Sequence, residues 1–440
     1  MSTLIIDDAA AVREPIDISF QGDTAGVAGL GAVNGVLNIL TLGLYSFWAK
    51  TEVRRRIWGA TRLNGEPLKY TGTGKELLLG FLIVFGVVVL PVLLAGVAIS
   101  LITAGNQSAI AIFQGAIYLI FFMLVGNAIY RAQRYRLSRS EWRGIRGALA
   151  GSPGRYSWAY FWTLAAPITL IAALAGLFAY ATGPAVGGVI MIAGLLAILW
   201  VLPWRSNYLR ALLTRDMRFG DRPLTYSGTA RPLYMRYIFA WVGNAVIFAA
   251  ALAATASYVM QSGLYEKQIA RIPPDPMELL PIAGIWLAAI IASAVVTAWY
   301  RAMQINHFAR STHFEGATFR AEAKGSSLMW LVLSNWLISL LGLLLGFAAA
   351  AALVYFAGGN LTSHGLQTGA ANFLIIPLAV PPIIIMTTIA ATLTQYRAAR
   401  YILERLKLDG LVNLGVVMQS QNQKPKRGEG LAQVFDIDAF

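Results

Sequence analysis

The chain has 440 residues, of which 57% are hydrophobic and only 13% are charged, against about 25% charge in soluble globular proteins. This composition excludes a disordered chain and argues against an ordinary soluble enzyme. The chain contains no cysteine, which excludes thiol catalysis, thiolate metal sites and disulfide scaffolds. A net charge of +14 in so apolar a chain indicates cations gathered in loops, and we expect no nucleic-acid partner. The predicted class is an all-α multi-pass membrane protein.

In chain order, the first apolar stretch covers residues 29–48 and is weaker than the later ones, because it carries polar residues and breaks at Thr41–Gly43. A predicted strand, Ile18–Gly22, precedes it, and a basic cluster at 50–56 follows it. If both flanks lie on one side of the membrane, the stretch must enter the membrane and return to the same side. Protein or water then has to cover its re-entrant backbone. We favour this interpretation over a plain ninth span with an external N-terminus.

Eight further apolar runs each have about the 20 residues that cross a membrane, and none has an Asp, Glu, Lys, Arg or His near its middle. They are approximately Leu77–Thr103, Ala109–Ala128, Trp158–Ala181, Gly187–Pro203, Tyr237–Val259, Pro281–Tyr300, Ser327–Phe356 and Asn372–Leu393. We predict eight transmembrane helices arranged as four hairpins. Residues 1–76 then hold the N-terminal strand, the weak stretch and a first basic hairpin, 77–410 form a repeated helical-hairpin membrane domain, and 411–440 form a cytoplasmic tail.

Lysine and arginine are distributed very unevenly about these runs. Of the 35 Lys and Arg residues, 33 lie on one side, and only Lys267 and Arg271 lie on the other. Cytoplasmic loops of membrane proteins are enriched in Lys and Arg, so the basic side is predicted to be cytoplasmic, including the C-terminus. Tryptophans gather near the same ends of the runs, which is typical of an interfacial belt.

The basic loops resemble one another. Four runs end in Tyr followed within two residues by Arg and then Ala, starting at Tyr130, Tyr208, Tyr300 and Tyr396. Five turn signals, each with a large apolar residue and a glycine, lie in these loops at Leu63–Gly65, Trp142–Gly144, Phe219–Asp221, Phe314–Gly316 and Leu408–Gly410. This spacing predicts five short cytoplasmic β-hairpins and an internal repeat of one helical hairpin plus one loop. The alternative is a set of unrelated loops that look alike because all are basic.

The N-terminal region resembles a known family. The residues that carry the resemblance are Phe20–Gly22, Asn34, Leu40–Tyr45, Trp48–Lys50, Arg54–Arg56, Thr61, Asn64–Gly65 and Tyr70–Gly74. They resemble the YjgN-like family of bacterial inner-membrane proteins over about residues 16–80, and with looser motifs to about residue 410. Ser46-Phe47 departs from the Ser-Pro pair expected before the tryptophan. The resemblance implies a multi-pass protein of the bacterial inner (plasma) membrane, and it implies no established reaction, substrate or cofactor.

No catalytic cluster is visible in the sequence. All 21 carboxylates fall in loops or at the ends of runs, no phosphate-binding glycine pattern occurs in a strand-to-helix context, and the three histidines do not form a ligand pattern. We therefore expect no enzyme activity, no cofactor and no metal. The partner that we expect is the lipid bilayer, with anionic phospholipid, and the sequence leaves a homo-oligomer open.

Two sets of residues remain as candidate sites. The first set consists of juxtamembrane arginines that are candidates for lipid binding, namely Arg54, Arg55, Arg56, Arg131, Arg134, Arg136, Arg397 and Arg400. The second set consists of amides that line a polar path or pack helices, namely Asn34, Asn127, Asn244 and Asn335. These features favour a transporter or channel-like protein. The alternatives are a membrane organiser whose basic hairpins bind anionic lipid or a cytoplasmic partner, and, third, an intramembrane enzyme.

Overall fold

A computed structural model describes residues 13–103, 105–270, 272–363 and 368–419. Side chains are described over the same ranges apart from residue 268 and residues 357–376. Of the predicted cytoplasmic tail, 411–440, the part from residue 420 onward lies outside the described residues.

Most of the described chain is α-helical. The helices are α1 (Ala25–Leu40), α2 (Ser46–Ala60), α3 (Gly74–Val84), α4 (Leu90–Ile102), α5 (Gln107–Arg139), α6 (Pro153–Thr182), α7 (Pro184–Ile198), α8 (Val201–Asp216), α9 (Arg231–Gln261), α10 (Leu264–Ile269), α11 (Pro276–Arg310), α12 (Gly325–Ser363) and α13 (Thr368–Leu403). A π-helical segment, Phe85–Val89, joins α3 to α4. The two helices and this segment form one span of 29 residues.

Seven helical segments in the described ranges are long and apolar enough to cross a membrane, and α7 with α8 forms an eighth if this pair, bent by 42°, counts as one span. Each predicted apolar run falls on one of these segments. The prediction of a multi-pass helical membrane protein is therefore confirmed. By contrast, α1 has 16 residues and is about 24 Å long, which is shorter than the ~30 Å hydrocarbon core of a bilayer.

The strands are short and pair only in the antiparallel sense. They are β1 (Arg13–Pro15), β2 (Ile18–Phe20), β3 (Thr61–Leu63), β4 (Glu66–Pro67), β5 (Lys69–Tyr70), β6 (Ser140–Trp142), β7 (Ile145–Leu149), β8 (Met217–Phe219), β9 (Arg222–Tyr226), β10 (Thr312–Phe314), β11 (Ala317–Ala321), β12 (Leu406–Asp409) and β13 (Leu411–Asn413). One sheet has the order β12-β11-β10-β9-β8-β7-β6-β5, a second has β2-β3-β4, and a third pairs β1 with β13.

The three sheets join end to end into a ring. β1 continues into β2 across residues 16–17, β4 into β5 across Leu68, and β12 into β13 across Gly410. Each of these bent strands pairs with one neighbour before its bend and with a different neighbour after it. If each bent strand is counted as one, every strand in the described ranges has partners on both sides. We call this closed set of strands the β-ring.

Tight turns join successive strands at four of the five predicted positions. Asn64-Gly65, Arg143-Gly144 and Glu315-Gly316 each have two residues with positive φ, as type I′ hairpin turns require, and Gly220 turns β8 into β9 at φ 62°. The fifth prediction, a hairpin at 408–410, is wrong. Gly410 lies at φ 123° inside a bent strand whose halves bond to β11 and β1 instead of to each other.

The centre of the β-ring is filled with apolar side chains. One buried cluster combines residues of β10 to β13, of the link between β1 and β2 and of the segment after β13, namely Ile16, Phe314, Ala317, Leu408, Val412 and Val417. Partly buried side chains from other strands of the ring pack against it, namely Ile18, Leu63, Ile145, Phe219 and Leu224. The ring of Phe219 packs between those of Trp142 and Phe314, at centroid distances of 6.1 and 6.0 Å. The β-ring is therefore a packed core on one side of the helices.

The N-terminal stretch leaves the β-ring and returns to it. β2 pairs with β3, and the Gln21 N–H donates to the Ala60 carbonyl at 2.7 Å. Between them, α1 packs along α13 and α2 leads back. Both ends of the stretch between Phe20 and Thr61 thus lie side by side at the β-ring.

Candidate functional site

A cavity of about 650 Å³ lies between α5, α6, α8, α9 and α11, towards the helix ends that meet the β-ring. We call it the arginine cavity, because Arg205, Arg210 and Arg301 line it. Within the described part of the chain, none of its lining residues is an Asp or Glu. Its volume is within the range of ~300–1,000 Å³ that is usual for small-molecule sites.

Arg205 is held in place by neutral groups of α6. Its Nε donates to Oγ1 of Thr163 at 2.9 Å, and its Nη2 donates to the carbonyl of Tyr160 at 3.2 Å. Its Cζ lies 4.2 Å from the centre of the Tyr160 ring, within cation–π range. Arg205 therefore lines the cavity while its guanidinium is bound to neutral groups, and no carboxylate is among its partners in the described residues.

The other two arginines also lack a described acidic partner. Arg210 stacks 5.7 Å from the ring centre of Phe308, and its buried Nε has no hydrogen-bond partner in the described residues. Arg301 Nη1 donates to Oε1 of Gln304 at 3.0 Å. Arg301 is exposed, Arg205 and Arg210 are partly buried, and Nε of Arg210 is fully buried. Three positive charges around one cavity favour the binding of an anion.

The inner end of the arginine cavity reaches the middle of α9. Asn244, near the centre of this 31-residue helix, lines the cavity there. Its Nδ2 donates to the Ala240 carbonyl at 2.8 Å, and its Oδ1 accepts from Ser293 Oγ at 2.6 Å. The cavity thus extends from the β-ring side to about half the depth of a span.

A second cavity, of about 790 Å³, adjoins the first. We call it the apolar cavity, because most of its wall comes from apolar side chains of α8, α9, α11, α12, α13 and the β-ring. The residues that line both cavities are Arg210, Thr297, Arg301, Gln304 and Phe308. Arg210 and Arg301 are the charged residues of the apolar cavity, and they lie where the two cavities meet.

The eight predicted lipid-binding arginines lie on the ring-side halves of α2, α5 and α13, and none of them lines the arginine cavity. Their described hydrogen bonds run from Arg55 to the Gly72 carbonyl (2.9 Å), Arg131 to Asn127 (2.7 Å), Arg136 to Gln133 (2.7 Å), Arg397 to Ser334 (2.7 Å) and Arg400 to Glu404 (2.6 Å). Arg54, Arg56 and Arg134 lie on the same helix segments. Arg397 and Arg400 line a pocket of about 370 Å³ that also contains Glu404.

The four predicted amides lie in separate places. Asn34 is fully buried on α1, and its side-chain atoms have no partner in the described residues. Asn127 accepts from its neighbour Arg131, and Asn335 donates to the Thr394 carbonyl at 3.4 Å. Among the four, Asn244 alone lines the arginine cavity. The amides therefore do not share one path.

Sequence reasoning misses Arg205, Arg210 and Arg301 as site residues. Arg210 and Arg301 belong to the repeated Tyr-Arg-Ala signature, but the signature marks other arginines as well. Their position in the sequence is a signal that could identify two of them, because Arg205 and Arg301 lie within two residues of the ends of predicted apolar runs. The clusters of arginines at the helix ends are the more conspicuous signal in the sequence.

Comparison with known proteins assigns the chain to a family. The family described as "Bacterial protein of unknown function (DUF898)" matches residues 15–434. The chain belongs to this family. The match to the DUF898 family covers strands β2 to β13, all the long helices and both cavities.

A relative supports the same conclusion. The "Inner membrane protein YjgN" of Salmonella typhimurium (strain LT2) is 31% identical over 176 residues, which cover 38% of this chain and 40% of that protein. The predicted resemblance of this DUF898 member to the YjgN-like family is therefore confirmed. No solved structure matches the chain.

Proposed function

We propose that this DUF898 member is an inner-membrane transporter that binds an anionic substrate in the arginine cavity. One observation carries the proposal: Arg205, Arg210 and Arg301 line a cavity that has no carboxylate in its wall and reaches the depth of Asn244. Positive charge in a partly enclosed cavity raises the local concentration of anions. The inner-membrane location is supported by the name of the relative and by the membrane-length helices.

A break in the cavity wall favours transport. α7 and α8 bend by 42° where they meet, and Leu199, at this bend, lines the cavity. Broken helices next to a central site are common in transporters, where halves of the protein move against each other. The second candidate is an organiser that holds anionic lipid, and the pocket lined by Arg397 and Arg400 supports it.

The membrane domain is, in this proposal, built from five units of strand, helical hairpin and strand. The hairpins are α1–α2, α3/α4–α5, α6–α7/α8, α9–α11 and α12–α13, and each begins and ends at paired strands of the β-ring. A shared detail supports the repeat: a Cβ at Gly72 or Gly228 would lie 2.7 or 2.4 Å from the side chain of Tyr70 or Tyr226, two residues earlier. α1–α2 is then the short hairpin that re-enters the membrane.

The anion-binding role is tested with inorganic phosphate as the probe. In neutral detergent at fixed ionic strength, phosphate is expected to raise the melting temperature of the protein. The double variant Arg210→Gln/Arg301→Gln should lose this rise, because each charged hydrogen bond is worth about 1.5–3 kcal/mol, or roughly 10- to 150-fold in Kd. Arg131→Gln is the control, since it removes one arginine of the same signature outside the cavity. A phosphate-induced rise that persists in the double variant would refute the role.

Transport is tested separately, by uptake of labelled phosphate into reconstituted vesicles. Wild-type protein is expected to admit the label, and the double variant is expected to reduce uptake to the level of protein-free vesicles. If wild-type protein binds phosphate but vesicles show no uptake at any gradient, the organiser is the better description.

The orientation is tested with single cysteines, which the natural chain lacks. An impermeant maleimide added to intact cells is expected to label Met277→Cys, on the side away from the β-ring, because the β-ring is proposed to face the cytoplasm. Lys407→Cys on β12 and Thr24→Cys before α1 should react only after lysis. Labelling of Lys407→Cys in intact cells would reverse the orientation, and labelling of Thr24→Cys alone would establish a ninth span.

A further inference from the structure

The two cavities adjoin each other and have chemically opposite walls. The arginine cavity supplies three guanidinium groups, aromatic rings and Gln304, whereas the apolar cavity is walled mainly by aliphatic and aromatic side chains. Arg210 and Arg301 stand at the border between them. A small anion would occupy only the arginine cavity and would leave the apolar cavity, of about 790 Å³, without an apolar occupant.

From this geometry we infer that the ligand is an amphiphile, with an anionic headgroup in the arginine cavity and an acyl chain in the apolar cavity. The inference rests on the proposed function, because the same arginines bind the charged end. For an amphiphile taken up from water, each CH₂ group that enters such a wall strengthens binding about fourfold. The apolar cavity therefore favours a ligand with a chain over a bare anion.

The apolar cavity extends from the β-ring, at Phe319 and Leu406, past the arginines to the membrane-length helices. Trp241 lines the arginine cavity and packs against Trp200 with ring centroids 5.7 Å apart. Tryptophans at span ends mark the headgroup level of a membrane. The apolar cavity is lined by Phe248 and Ile290, which lie well inside membrane-length helices. A headgroup at the arginines would place its chain beside the spans.

Two kinds of molecule carry this chemistry, a membrane phospholipid and a free fatty acid. Native mass spectrometry of the purified protein in neutral detergent distinguishes them when equal amounts of dioleoyl phosphatidylglycerol, oleate and dioleoyl phosphatidylcholine are added. We expect an anionic amphiphile to be retained at least about tenfold over phosphatidylcholine. Preferential retention of phosphatidylglycerol indicates a membrane phospholipid, and preferential retention of oleate indicates a free fatty acid. Equal retention of all three would overturn the inference.

A pair of matched variants on α11 tests the chain compartment. Ala294 lines the apolar cavity, whereas Ala288 is exposed on the same helix and lines neither cavity. Ala294→Phe fills space that the chain would occupy and is expected to reduce retention of the amphiphile about tenfold or more, whereas Ala288→Phe should leave retention unchanged. The phosphate-induced rise in melting temperature should survive in both variants, which also shows that both fold.

The outcomes separate the inference from the proposed function. If Ala294→Phe retains the amphiphile as wild type does while Arg210→Gln/Arg301→Gln loses phosphate, the anion site stands and the acyl-chain assignment falls. If the double arginine variant still responds to phosphate, the proposed function falls, whatever happens to the chain. Loss of the amphiphile in both Ala294→Phe and Ala288→Phe would indicate a general disturbance of α11 and would also overturn the assignment.

Discussion

Replacing Gly35 with leucine is expected to detach α1 from α13 and to lower the free energy of unfolding by at least ~1–3 kcal/mol. A Cβ at Gly35 would lie 2.9 Å from Cα of Ile385, and one at Gly31 would lie 2.8 Å from Cα of Ile389. Both obstacles are backbone atoms, which cannot rotate away as the end of a side chain can. Small residues spaced four apart let membrane helices approach closely, and a leucine here forces the helices apart.

The measurement is the midpoint of thermal unfolding in detergent. Gly29→Leu is the matched control, because this glycine lies on the same helix and nothing lies within 4 Å of a Cβ placed there. The control should unfold close to wild type. Equal losses in the two variants would mean that leucine disturbs α1 itself, and the packing argument would fail.

Replacing Asp216 with alanine is expected to destabilise the junction of α5, α6 and α8 by about 1.5–3 kcal/mol, the usual contribution of a hydrogen bond to a charged group. Tyr130 is fully buried, and its hydroxyl donates to Asp216 Oδ2 at 3.0 Å. Alanine leaves that hydroxyl without its acceptor, which adds the cost of an unsatisfied buried group. A fall in the unfolding midpoint of purified protein checks this expectation.

Arg155 provides the control for this prediction. Its Nη2 lies 2.8 Å from Asp216 Oδ1, but its side chain is 61% exposed, against 12% for the aspartate. Exposed ion pairs contribute only about 0–1 kcal/mol, so Arg155→Ala should cost little. If Arg155→Ala destabilises the protein as much as Asp216→Ala does, the ion pair is the dominant contact and the assignment to Tyr130 is wrong.

Local features of the sequence were sufficient to locate the spans and four of the strand turns. Apolar runs report on membrane burial directly, and pairs such as Asn64-Gly65 carry the positive φ that a tight turn needs. Leu408–Gly410 has the same composition but forms no hairpin, because β13 pairs with β1. No local pattern reports which distant strand a segment meets, so the closure of the β-ring could not be predicted.

Which residues line the candidate site depends on how each helix is rotated about its own axis. The sequence does not specify this rotation here. In spans that are apolar on all sides, no stripe indicates which face points inward. Arg131 and Arg301 occupy the same signature, yet only Arg301 lines the arginine cavity. The sequence predicts Asn244 as a site residue because an amide in an apolar run needs a hydrogen-bond partner. The same argument applies to an amide on any face of its helix, so it does not indicate which amide lines a cavity.

The closure of the β-ring makes the synthesis of β13 a step in folding. The register of β1 on β13 pairs Arg13 with Asn413, so β1 cannot pair with β13 until about 400 further residues have been synthesised. At about 5–20 residues per second, the wait is roughly 20–80 s. During that time the ring is an open arc with a free strand edge at each end, and such edges recruit other chains. A ribosome that stalls late would therefore leave an inserted but unclosed protein, whose exposed edges are the surface that quality-control proteases and chaperones meet.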